Sequence, residues 1–323
     1  MGSDSGGESS AVRGSQPLPP IRVLPAAPPI FASRMKQTLK AIYSGIPFKR
    51  EVFSLLRPLR PPERLYKHLH FNGVVRVSVR PGERFKLQHW GYIIENELFW
   101  RGLNGWERVS LDLWARLCRR STHVIDVGAN TGIYALLACC VNPHARVLAL
   151  EPIERVFRKL QHNLALNGYR AEALCVAASD HDGTATIYDQ PYEHVLSVSL
   201  NKEFNRATDL RATEIPTRTL DSLVEERGWS KVDLVKIDTE THEPEVLQGF
   251  RRTLERCRPS LLVEILNDDV ARRVEEQLLG LGYLYFNIDE VNPPKRTDTL
   301  CKSAHFNFLI CTPQVARDLG LAA

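Results

Sequence analysis

The chain has 323 residues, 43% of them hydrophobic, and a formal net charge of +4. This hydrophobic content is ample for a buried core, and the length suits one large domain or two small ones. No apolar run approaches the roughly 18 residues that span a bilayer, and no secretory signal is visible. We therefore expect no integral membrane segment, and the small net charge gives no reason to expect a nucleic-acid partner.

Cysteine usage indicates a reducing compartment. The sequence has seven cysteines, an odd number, and no Cys-x-x-Cys pair. Most lie in apolar segments, and no cysteine–histidine spacing matches a zinc site. We expect buried, reduced thiols, no bound metal and a cytoplasmic location.

The first part of the chain is predicted to be disordered. Residues 1–34 are rich in Gly, Ser and Pro and show no hydrophobic periodicity, which is typical of a disordered leader. Residues 35–110 are predicted to form a small N-terminal subdomain with helices and strands. Its first half, residues 35–67, has helical apolar spacing that several prolines cut into short pieces.

The second half of this subdomain is predicted to contain a hairpin. Gly73–Val79 and Phe85–Trp90 have the composition of strands, and Pro81-Gly82 between them suits the turn. Residues 93–100 fit either a further strand or a short helix.

From residue 111 to residue 323 the apolar pattern predicts one α/β domain. Strands and helices alternate, which is typical of a parallel sheet. Predicted strands cover residues 124–127, 146–150, 171–178, 232–238, 260–265, 283–288 and 304–312. Predicted helices cover residues 111–118, 133–141, 154–167, 219–227, 244–254 and 270–281. Residues 184–188 suit a strand extension, residues 190–214 a long polar loop, and the last two strands are expected to pair antiparallel.

The segment from His123 to Gly132 reads His-Val-Ile-Asp-Val-Gly-Ala-Asn-Thr-Gly. Its apolar residues predict a strand buried on both faces, and Gly128 and Gly132 bracket a short turn before a helix. Such a turn lets the backbone approach a ligand closely and aims the helix N-terminus at it. A binding site is therefore expected at this turn.

The residues of the turn favour a ligand without a pyrophosphate. A dinucleotide fingerprint has Gly-x-Gly-x-x-Gly, whereas here Asn130 takes the place of the middle glycine. Asp126 at the end of the strand would repel a pyrophosphate, but it suits the α-ammonium group of S-adenosylmethionine. A nicotinamide cofactor is the alternative, and a buried βαβ unit without a ligand is a further one.

Four acids are predicted at the carboxyl ends of the first four strands, where ligands of open parallel sheets bind. They are Asp126, Glu151, Asp180 and Asp238. Glu151 is expected to bind the ribose hydroxyls. Ala178, Ser179 and Asp180 are expected to flank the adenine, although Asp180 equally suits a local cap of its turn. The amino-acid part is expected to contact Asp126 and the turn residues Gly128, Ala129, Asn130, Thr131 and Gly132.

The residues after the fourth strand are candidates for catalysis. Asp238, Glu240 and His242 lie there, beside the expected methyl donor. Methyl transfer to a hydroxyl needs alignment, exclusion of water and removal of a proton. Glu240 or His242 suits the role of base because burial and neighbours can tune both toward neutrality. A metal held by these three residues is the weaker alternative.

Several blocks of the sequence resemble the FkbM family of methyltransferases. They are Val124–Gly132, Leu150–Pro152, Ala178–Asp180, Thr219–Asp221, Asp233–Asp238, Arg258–Glu264 and Phe306–Leu309. The resemblance covers about residues 100–312, and the order and spacing of the blocks make it specific. It implies a class I S-adenosylmethionine-dependent methyltransferase fold, which is Rossmann-like: a seven-stranded, mostly parallel sheet between helices, with the seventh strand inserted antiparallel.

The resemblance also implies O-methylation of hydroxyls on natural products or on sugars of glycans and glycolipids. The family's cofactor roles fall on Asp126, Gly128, Asn130, Gly132 and Glu151. One position departs from the family pattern. Where the family commonly has Glu-Gly-x-Glu, this chain has Glu240-Thr-His-Glu243, and the Cβ of Thr241 disfavours a positive φ.

The leading hypothesis is therefore an O-methyltransferase that acts on a hydroxyl of a sugar, glycolipid or secondary metabolite. The alternatives are a nicotinamide-dependent oxidoreductase and a non-catalytic module that binds the cofactor. The expected partner is a small-molecule or glycan acceptor, and a homodimer stays open.

Overall fold

The computed structural model describes residues 47–189 and 211–321, together with Tyr43 and Gly45. Contacts divide the chain into residues 1–48 and residues 49–323, and the fold given below is that of the second unit. The leader predicted for residues 1–34 lies outside the described residues, as does most of the loop predicted for residues 190–214.

Helices and strands alternate through most of the second unit. The helices are α1 (Lys49–Leu56), α2 (Glu63–Tyr66), α3 (Ile93–Arg101), α4 (Arg108–Cys118), α5 (Ile133–Val141), α6 (Glu154–Asn167), α7 (Leu220–Glu226), α8 (Glu243–Gln248), α9 (Arg251–Cys257), α10 (Asp268–Leu278) and α11 (Pro313–Leu319). The strands are β1 (Gly73–Arg80), β2 (Glu83–His89), β3 (His123–Val127), β4 (Arg146–Leu150), β5 (Glu172–Leu174), β6 (Ala177–Ala178), β7 (Gly183–Asp189), β8 (Arg211–Arg218), β9 (Leu234–Ile237), β10 (Ser260–Glu264), β11 (Leu284–Asn287), β12 (Lys295–Thr297) and β13 (Asn307–Cys311).

The central sheet has eight strands in the order β12-β11-β13-β10-β9-β3-β4-β5. Strands β3, β4, β5, β9 and β10 run parallel, and β13 is inserted antiparallel between β10 and β11. This arrangement confirms the predicted class I methyltransferase fold. The sheet has one strand more than the predicted seven, because β12 adds a short edge strand to β11.

Apolar runs place the inner strands in the core. Ile125 of β3 and Val235 of β9 are fully buried in one large cluster with Leu247 and Phe250, as expected for strands that are covered on both faces. Because β3 and β9 lie side by side and run parallel, the segments that follow them meet at the same edge of the sheet.

Two predicted elements are divided in the structure. The strand predicted over residues 171–178 becomes β5 in the central sheet and β6, which pairs with β8 in a separate three-stranded sheet. The helix predicted over residues 244–254 becomes α8 and α9. This break comes at Gly249, where a Cβ would lie 2.0 Å from the carbonyl oxygen of Ser179. Glycine therefore lets the chain pass close to the loop after β6.

The N-terminal hairpin is confirmed, since β1 and β2 pair antiparallel. Residues 93–101 adopt the helical alternative as α3, and Glu95 accepts a hydrogen bond from the backbone N–H of Tyr92 (3.0 Å) in a capping box.

Residues 211–214, predicted as loop, belong to β8. Helix α11 was not predicted, although Pro313 at its first turn is a usual start signal.

A buried asparagine links the hairpin to the sheet domain. Oδ1 of Asn163 accepts a hydrogen bond from the backbone N–H of Gln88 (2.9 Å), and its Nδ2 donates to the carbonyl oxygen of Thr131 (2.7 Å). The hairpin thus packs directly on α6, and Asn163 connects it to the loop after β3. The domain boundary predicted at residue 110 stays a prediction.

All seven cysteines are unpaired, which agrees with the expectation of free thiols. Cys118, Cys139 and Cys311 are buried, whereas Cys301 is exposed, so the expectation of burial holds for only part of the set. Among the described residues, no helix combines the length and the apolar character that crossing a membrane requires.

Candidate functional site

A cavity of about 330 Å³ lies at the carboxyl ends of β3, β4 and β9, which is where ligands of open α/β sheets bind. Its volume falls within the range of small-molecule sites. The polar side chains that line it belong to Glu107, Asn130, Thr131, Tyr134, Glu151, Lys236, Asp238, Thr239, Glu240, His242 and Glu264.

The loop after β3 is shaped by two glycines. Gly128 has a φ of 75°, and a Cβ there would lie 1.8 Å from the carbonyl oxygen of Asp238. Gly132 has a φ of 97°, and a Cβ there would lie 2.5 Å from Cδ1 of Leu160. The positive φ favours glycine at both positions, and at Gly128 the backbone of Asp238 also leaves no space for a Cβ. Asn130 between them also has a positive φ, of 51°, which asparagine tolerates better than most residues.

Asp126 is fully buried and does not line the cavity. Its Oδ2 accepts a hydrogen bond from the backbone N–H of Ala135 (3.0 Å) in α5, and its Oδ1 has no hydrogen-bond partner. Burial raises the pKa of this carboxyl to about 6. The predicted direct contact with a ligand ammonium group is not supported, because the carboxylate lies against the first turn of α5. A role of Asp126 in cofactor binding stays a prediction.

Glu151 lines the cavity at the end of β4. Its two carboxylate oxygens accept hydrogen bonds from the backbone N–H groups of Asn130 and Ile153, both at 3.0 Å. Burial raises the pKa of Glu151 to about 7. These backbone donors fix the orientation of the carboxylate beside the glycine loop.

Ala178 at the end of β6 lines the cavity, whereas Ser179 and Asp180 in the turn that follows do not. Oγ of the buried Ser179 lies 3.0 Å from Nε2 of His242. Oδ1 of Asp180 lies 2.7 Å from Nδ1 of His181, which agrees with the local role left open for this acid. His242 does line the cavity, and burial lowers its pKa. Its contacts tie it to the turn after β6, so its role as a base stays a prediction.

Asp238 follows β9 and forms an ion pair inside the cavity. Its Oδ2 accepts a hydrogen bond from Nζ of Lys236 (2.7 Å), and that Nζ lies 4.6 Å from the centre of the Tyr134 ring. Burial would lower the pKa of Lys236, but the surrounding carboxylates, Asp238 foremost, raise it more, and the net shift is upward. Lys236 therefore carries a positive charge at neutral pH.

Three carboxyl groups meet at this end of the cavity. Oxygen atoms of Asp238, Glu240 and Glu264 lie within 4.8 Å of one another. Burial, together with the charges of Asp238 and Glu240, raises the pKa of Glu264 to about 10. Glu264 is therefore protonated at neutral pH and can donate a hydrogen bond. This group differs from the set of Asp238, Glu240 and His242 considered from the sequence.

The segment before β3 supplies another wall of the cavity, through Ile94, Trp106 and Glu107. Oε2 of Glu107 accepts a hydrogen bond from the hydroxyl of Tyr134 (2.5 Å), and burial raises the pKa of this acid. The cavity therefore combines side chains of the α/β domain with side chains from the chain that precedes it.

The loop after β9 has an unusual backbone. Glu240 and Thr241 have φ values of 54° and 81°. Thr241 therefore adopts the positive φ that its Cβ disfavours without excluding it, and a β-branched residue occupies a strained conformation. Glu243 supports the loop, because its Oε1 accepts hydrogen bonds from the backbone N–H (2.9 Å) and the hydroxyl (3.0 Å) of Thr239.

The structure brings most of the predicted site residues to one cavity. The predicted residues that line it are Gly128, Ala129, Asn130, Thr131, Glu151, Ala178, Asp238, Glu240 and His242, and those that do not are Asp126, Gly132, Ser179 and Asp180. Sequence reasoning missed Glu107, Lys236 and Glu264. Glu264 carried a usable signal, since it ends the fifth strand as Asp238 ends the fourth.

Comparisons with known proteins agree with this geometry. The sequence model of the methyltransferase FkbM domain matches residues 126–285. The chain belongs to the FkbM family of methyltransferases. The FkbM domain contains the glycine loop, Glu151 and the carboxyl cluster, whereas Glu107 precedes its first matched residue. The family assigned by sequence resemblance is thereby confirmed.

Relatives of this FkbM chain are distant. The hexuronic acid methyltransferase AglP of Haloferax volcanii is 30% identical over 169 residues, which are 51% of this chain and 66% of AglP. The AMB antimetabolite synthetase AmbE of Pseudomonas aeruginosa is 26% identical over 159 residues, which are 39% of this chain and 8% of AmbE. The crystal structure of methyltransferase FkbM from Methylobacillus flagellatus KT has a TM-score of 0.34 and 19% identity, over 59% of this chain and 43% of that one. The chain thus spans less than two thirds of AmbE, and slightly less than two thirds of AglP.

Proposed function

We propose that this chain transfers a methyl group from S-adenosylmethionine to a hydroxyl group of a sugar, glycolipid or secondary metabolite. The observation that carries the proposal is the composition of the cavity. A glycine loop and Glu151 line one part of it, and the Lys236–Asp238 ion pair with Glu264 lines another. The first part suits a nucleoside with free ribose hydroxyls, and the second suits an acceptor hydroxyl that must lose a proton.

The residues present fit this cofactor. Glu151 would accept hydrogen bonds from the ribose, the backbone of the loop at Gly128 and Asn130 would contact the amino-acid part, and Ala178 would lie against the adenine. The unpaired Oδ1 of Asp126 adds a negative potential behind the loop. When bound, S-adenosylmethionine supplies an electrophilic methyl group carried on a sulfonium centre.

Asp238 is the base in this proposal. Lys236 donates to its Oδ2 and keeps the carboxylate oriented in the cavity. Asp238 would take the proton that the acceptor hydroxyl loses as the new carbon–oxygen bond forms and the methyl–sulfur bond of the donor breaks, leaving S-adenosylhomocysteine. Protonated Glu264 would contribute a hydrogen-bond donor. Enclosure by Trp106 and Ile94 limits access of water, which would compete with the acceptor.

The acceptor class is supported by the chemistry of the cavity and by one relative. Carboxyl groups and an ammonium group around a small site bind hydroxyl-rich molecules well. AglP is named for hexuronic acid methylation, so a sugar acceptor has precedent in a protein that is 30% identical to this chain. The substrate of this chain remains part of the proposal.

Calorimetry with S-adenosylhomocysteine and mass spectrometry of extracts incubated with an isotopically labelled methyl donor test the proposal together. The wild-type chain should bind S-adenosylhomocysteine and label a product. Asp238→Asn should retain binding and lose labelling, whereas Glu151→Leu should lose binding by about tenfold or more. Glu255→Gln, on the exposed side of α9, is the matched control and should behave as wild type.

Other outcomes favour the other two hypotheses. A nicotinamide-dependent enzyme would change NADH fluorescence on titration and would not bind S-adenosylhomocysteine. A non-catalytic module would bind S-adenosylhomocysteine in both wild type and Asp238→Asn but label no product. Either result would contradict the proposed transfer of methyl groups.

A further inference from the structure

Residues 49–67 expose an unusual number of large apolar side chains. Leu55 and Leu59 are 79% and 75% exposed, and Val52 and Leu65 are about half exposed. Of the ten large apolar side chains that the described residues leave exposed, five belong to this segment. Concentrated exposure of this kind usually marks an interaction surface.

Helix α1 is held to the fold by one buried side chain, Phe53. Its ring packs against the rings of Phe71 and Trp100, with centroids 6.2 Å and 5.7 Å away. Residues two positions apart on a helix point in nearly opposite directions. Anchoring by Phe53 therefore turns Leu55 toward solvent.

The same segment concentrates the positive charge of the molecule. Residues 49–67 contain six basic and two acidic side chains, a formal charge of +4, which equals that of the whole chain. The rest of the chain is therefore neutral overall. Arg57 and Arg60 flank the exposed Leu59, and among the described residues neither guanidinium forms an ion pair with a carboxylate.

A groove beside α1 adds a site for anionic groups. Arg57 and Arg60 line it together with Arg101, Tyr66 and Trp100, and Glu63 is the single carboxylate in its wall. The Arg57 guanidinium stacks over the ring of Phe99, 5.6 Å from its centre. Guanidinium groups arranged around a groove suit the recognition of phosphate oxygens.

We propose that the α1 patch, defined by Val52, Leu55, Arg57, Leu59 and Arg60, docks this protein onto the surface of an anionic phospholipid bilayer. The apolar side chains enter the boundary between headgroups and acyl chains, and the arginines contact lipid phosphates. Charge complementarity favours an anionic bilayer over a purely apolar protein partner. Such a partner would bury these two guanidinium groups without counter-charges, whereas lipid phosphates supply them.

The location of the α1 patch also relates it to the cavity. Helix α3 contributes Ile94 to the cavity and Arg101 to the groove, and seven residues of helix span roughly 10 Å. A bound bilayer would therefore lie within a short distance of the cavity wall. The docking itself does not depend on the proposed methyl transfer.

Flotation of the full chain with lipid vesicles tests the proposal. We expect binding to vesicles of phosphatidylcholine with phosphatidylglycerol, little binding to pure phosphatidylcholine, and weaker binding as salt is raised. The double variant Leu55→Glu, Leu59→Glu should bind anionic vesicles about tenfold more weakly. The variant Leu279→Glu, Val291→Glu changes two side chains that are 66% and 70% exposed elsewhere, and it should bind as wild type.

Three results would overturn the proposal. In the first, the protein binds neither the anionic nor the pure phosphatidylcholine vesicles. In the second, it binds both kinds equally well. The third is a dimer in light scattering that the Leu55→Glu, Leu59→Glu variant dissociates, because a second copy would then cover the patch. Circular dichroism and thermal unfolding of each variant confirm that a loss of binding does not reflect loss of the fold.

Discussion

Thr241 occupies a conformation that costs the folded state free energy. Its φ of 81° lies in the left-handed region, and its buried Oγ1 has no hydrogen-bond partner. Thr241→Gly removes both costs, although glycine adds conformational freedom to the unfolded chain. We expect a net gain of about 0.5 to 1 kcal/mol in the free energy of unfolding, measured by chemical denaturation.

Arg258→Gly provides the matched control for this change. Arg258 also has a positive φ, of 44°, but it is not β-branched and ends helix α9 in an ordinary left-handed cap. Its replacement should change the unfolding free energy by less than the replacement of Thr241. A loss of stability in Thr241→Gly would show that side-chain packing outweighs the backbone strain.

Gly128 is the position where an added methyl group should do most damage. A Cβ there would overlap the carbonyl oxygen of Asp238, whereas a Cβ at Gly168, which has a similar φ of 66°, meets no atom within 4 Å. We expect Gly128→Ala to cost about 3 kcal/mol and Gly168→Ala about 1 kcal/mol in thermal unfolding. Equal costs would mean that φ alone requires glycine at residue 128.

At the scale of single residues, the sequence predicted positions better than orientations. The rule that ligands bind beyond strand ends identified Glu151 and Asp238 correctly as cavity residues. The same rule cannot tell that the Asp126 side chain turns toward the backbone of α5, because that choice depends on packing. Glu107 gave no local signal, since its partner Tyr134 is distant in sequence.

At the scale of elements, Asn163 of α6 couples the hairpin to the glycine loop. Asn163→Ala would leave the backbone N–H of Gln88 and the carbonyl oxygen of Thr131 without these hydrogen bonds. We expect a loss of about 2 to 4 kcal/mol in unfolding free energy. Because Thr131 lines the cavity, affinity for S-adenosylhomocysteine in calorimetry should also fall.

A variant at Asn167, one turn further along α6, separates the effect on stability from the effect on affinity for S-adenosylhomocysteine. The side chain of Asn167 accepts a hydrogen bond from the backbone N–H of Lys86 (2.6 Å) in the same hairpin and donates one to the carbonyl oxygen of Lys86 (2.8 Å). It is partly exposed, and among the described residues it forms no hydrogen bond to the glycine loop. Asn167→Ala should cost less stability and leave the affinity unchanged. If both variants weakened S-adenosylhomocysteine binding equally, coupling through Asn163 would be disproved.

Element types were predicted well where the hydrophobic period was long and uniform. The parallel strands and α6 follow directly from their apolar patterns. The predicted strand over residues 171–178 failed as one element because its two halves pair with different sheets. The break between α8 and α9 depends on a contact of Gly249 with the distant Ser179. Such contacts between distant residues depend on the folded structure, and the hydrophobic pattern of the sequence does not indicate them.

At the scale of the whole molecule, the sheet gathers buried acids from distant parts of the chain. Burial raises the pKa of Asp126 to about 6 and those of Glu151 and Glu243 to about 7. Around pH 5 to 6 the folded chain therefore keeps protons that the unfolded chain has largely lost. The contribution of these groups to the free energy of unfolding is therefore greatest below their ordinary pKa values. It is lost as pH rises toward 7, because the buried carboxyl groups must then ionise.

We therefore expect the free energy of unfolding, measured by chemical denaturation, to fall between about pH 5 and pH 7.5. Burial also raises the pKa of Glu95, Glu107 and Glu264, which adds to this trend. It lowers the pKa of His89, His123 and His242, which opposes the trend, but these are three histidines against six acids. Glu243→Gln keeps an acceptor for Thr239 and cannot ionise, so it should exceed wild type by about 1 kcal/mol or more above pH 7. Exposed Glu255→Gln should follow the wild-type curve. A wild-type curve that rises over this range, or a Glu243→Gln variant that is less stable at every pH, would show that these acids are ionised in the folded chain.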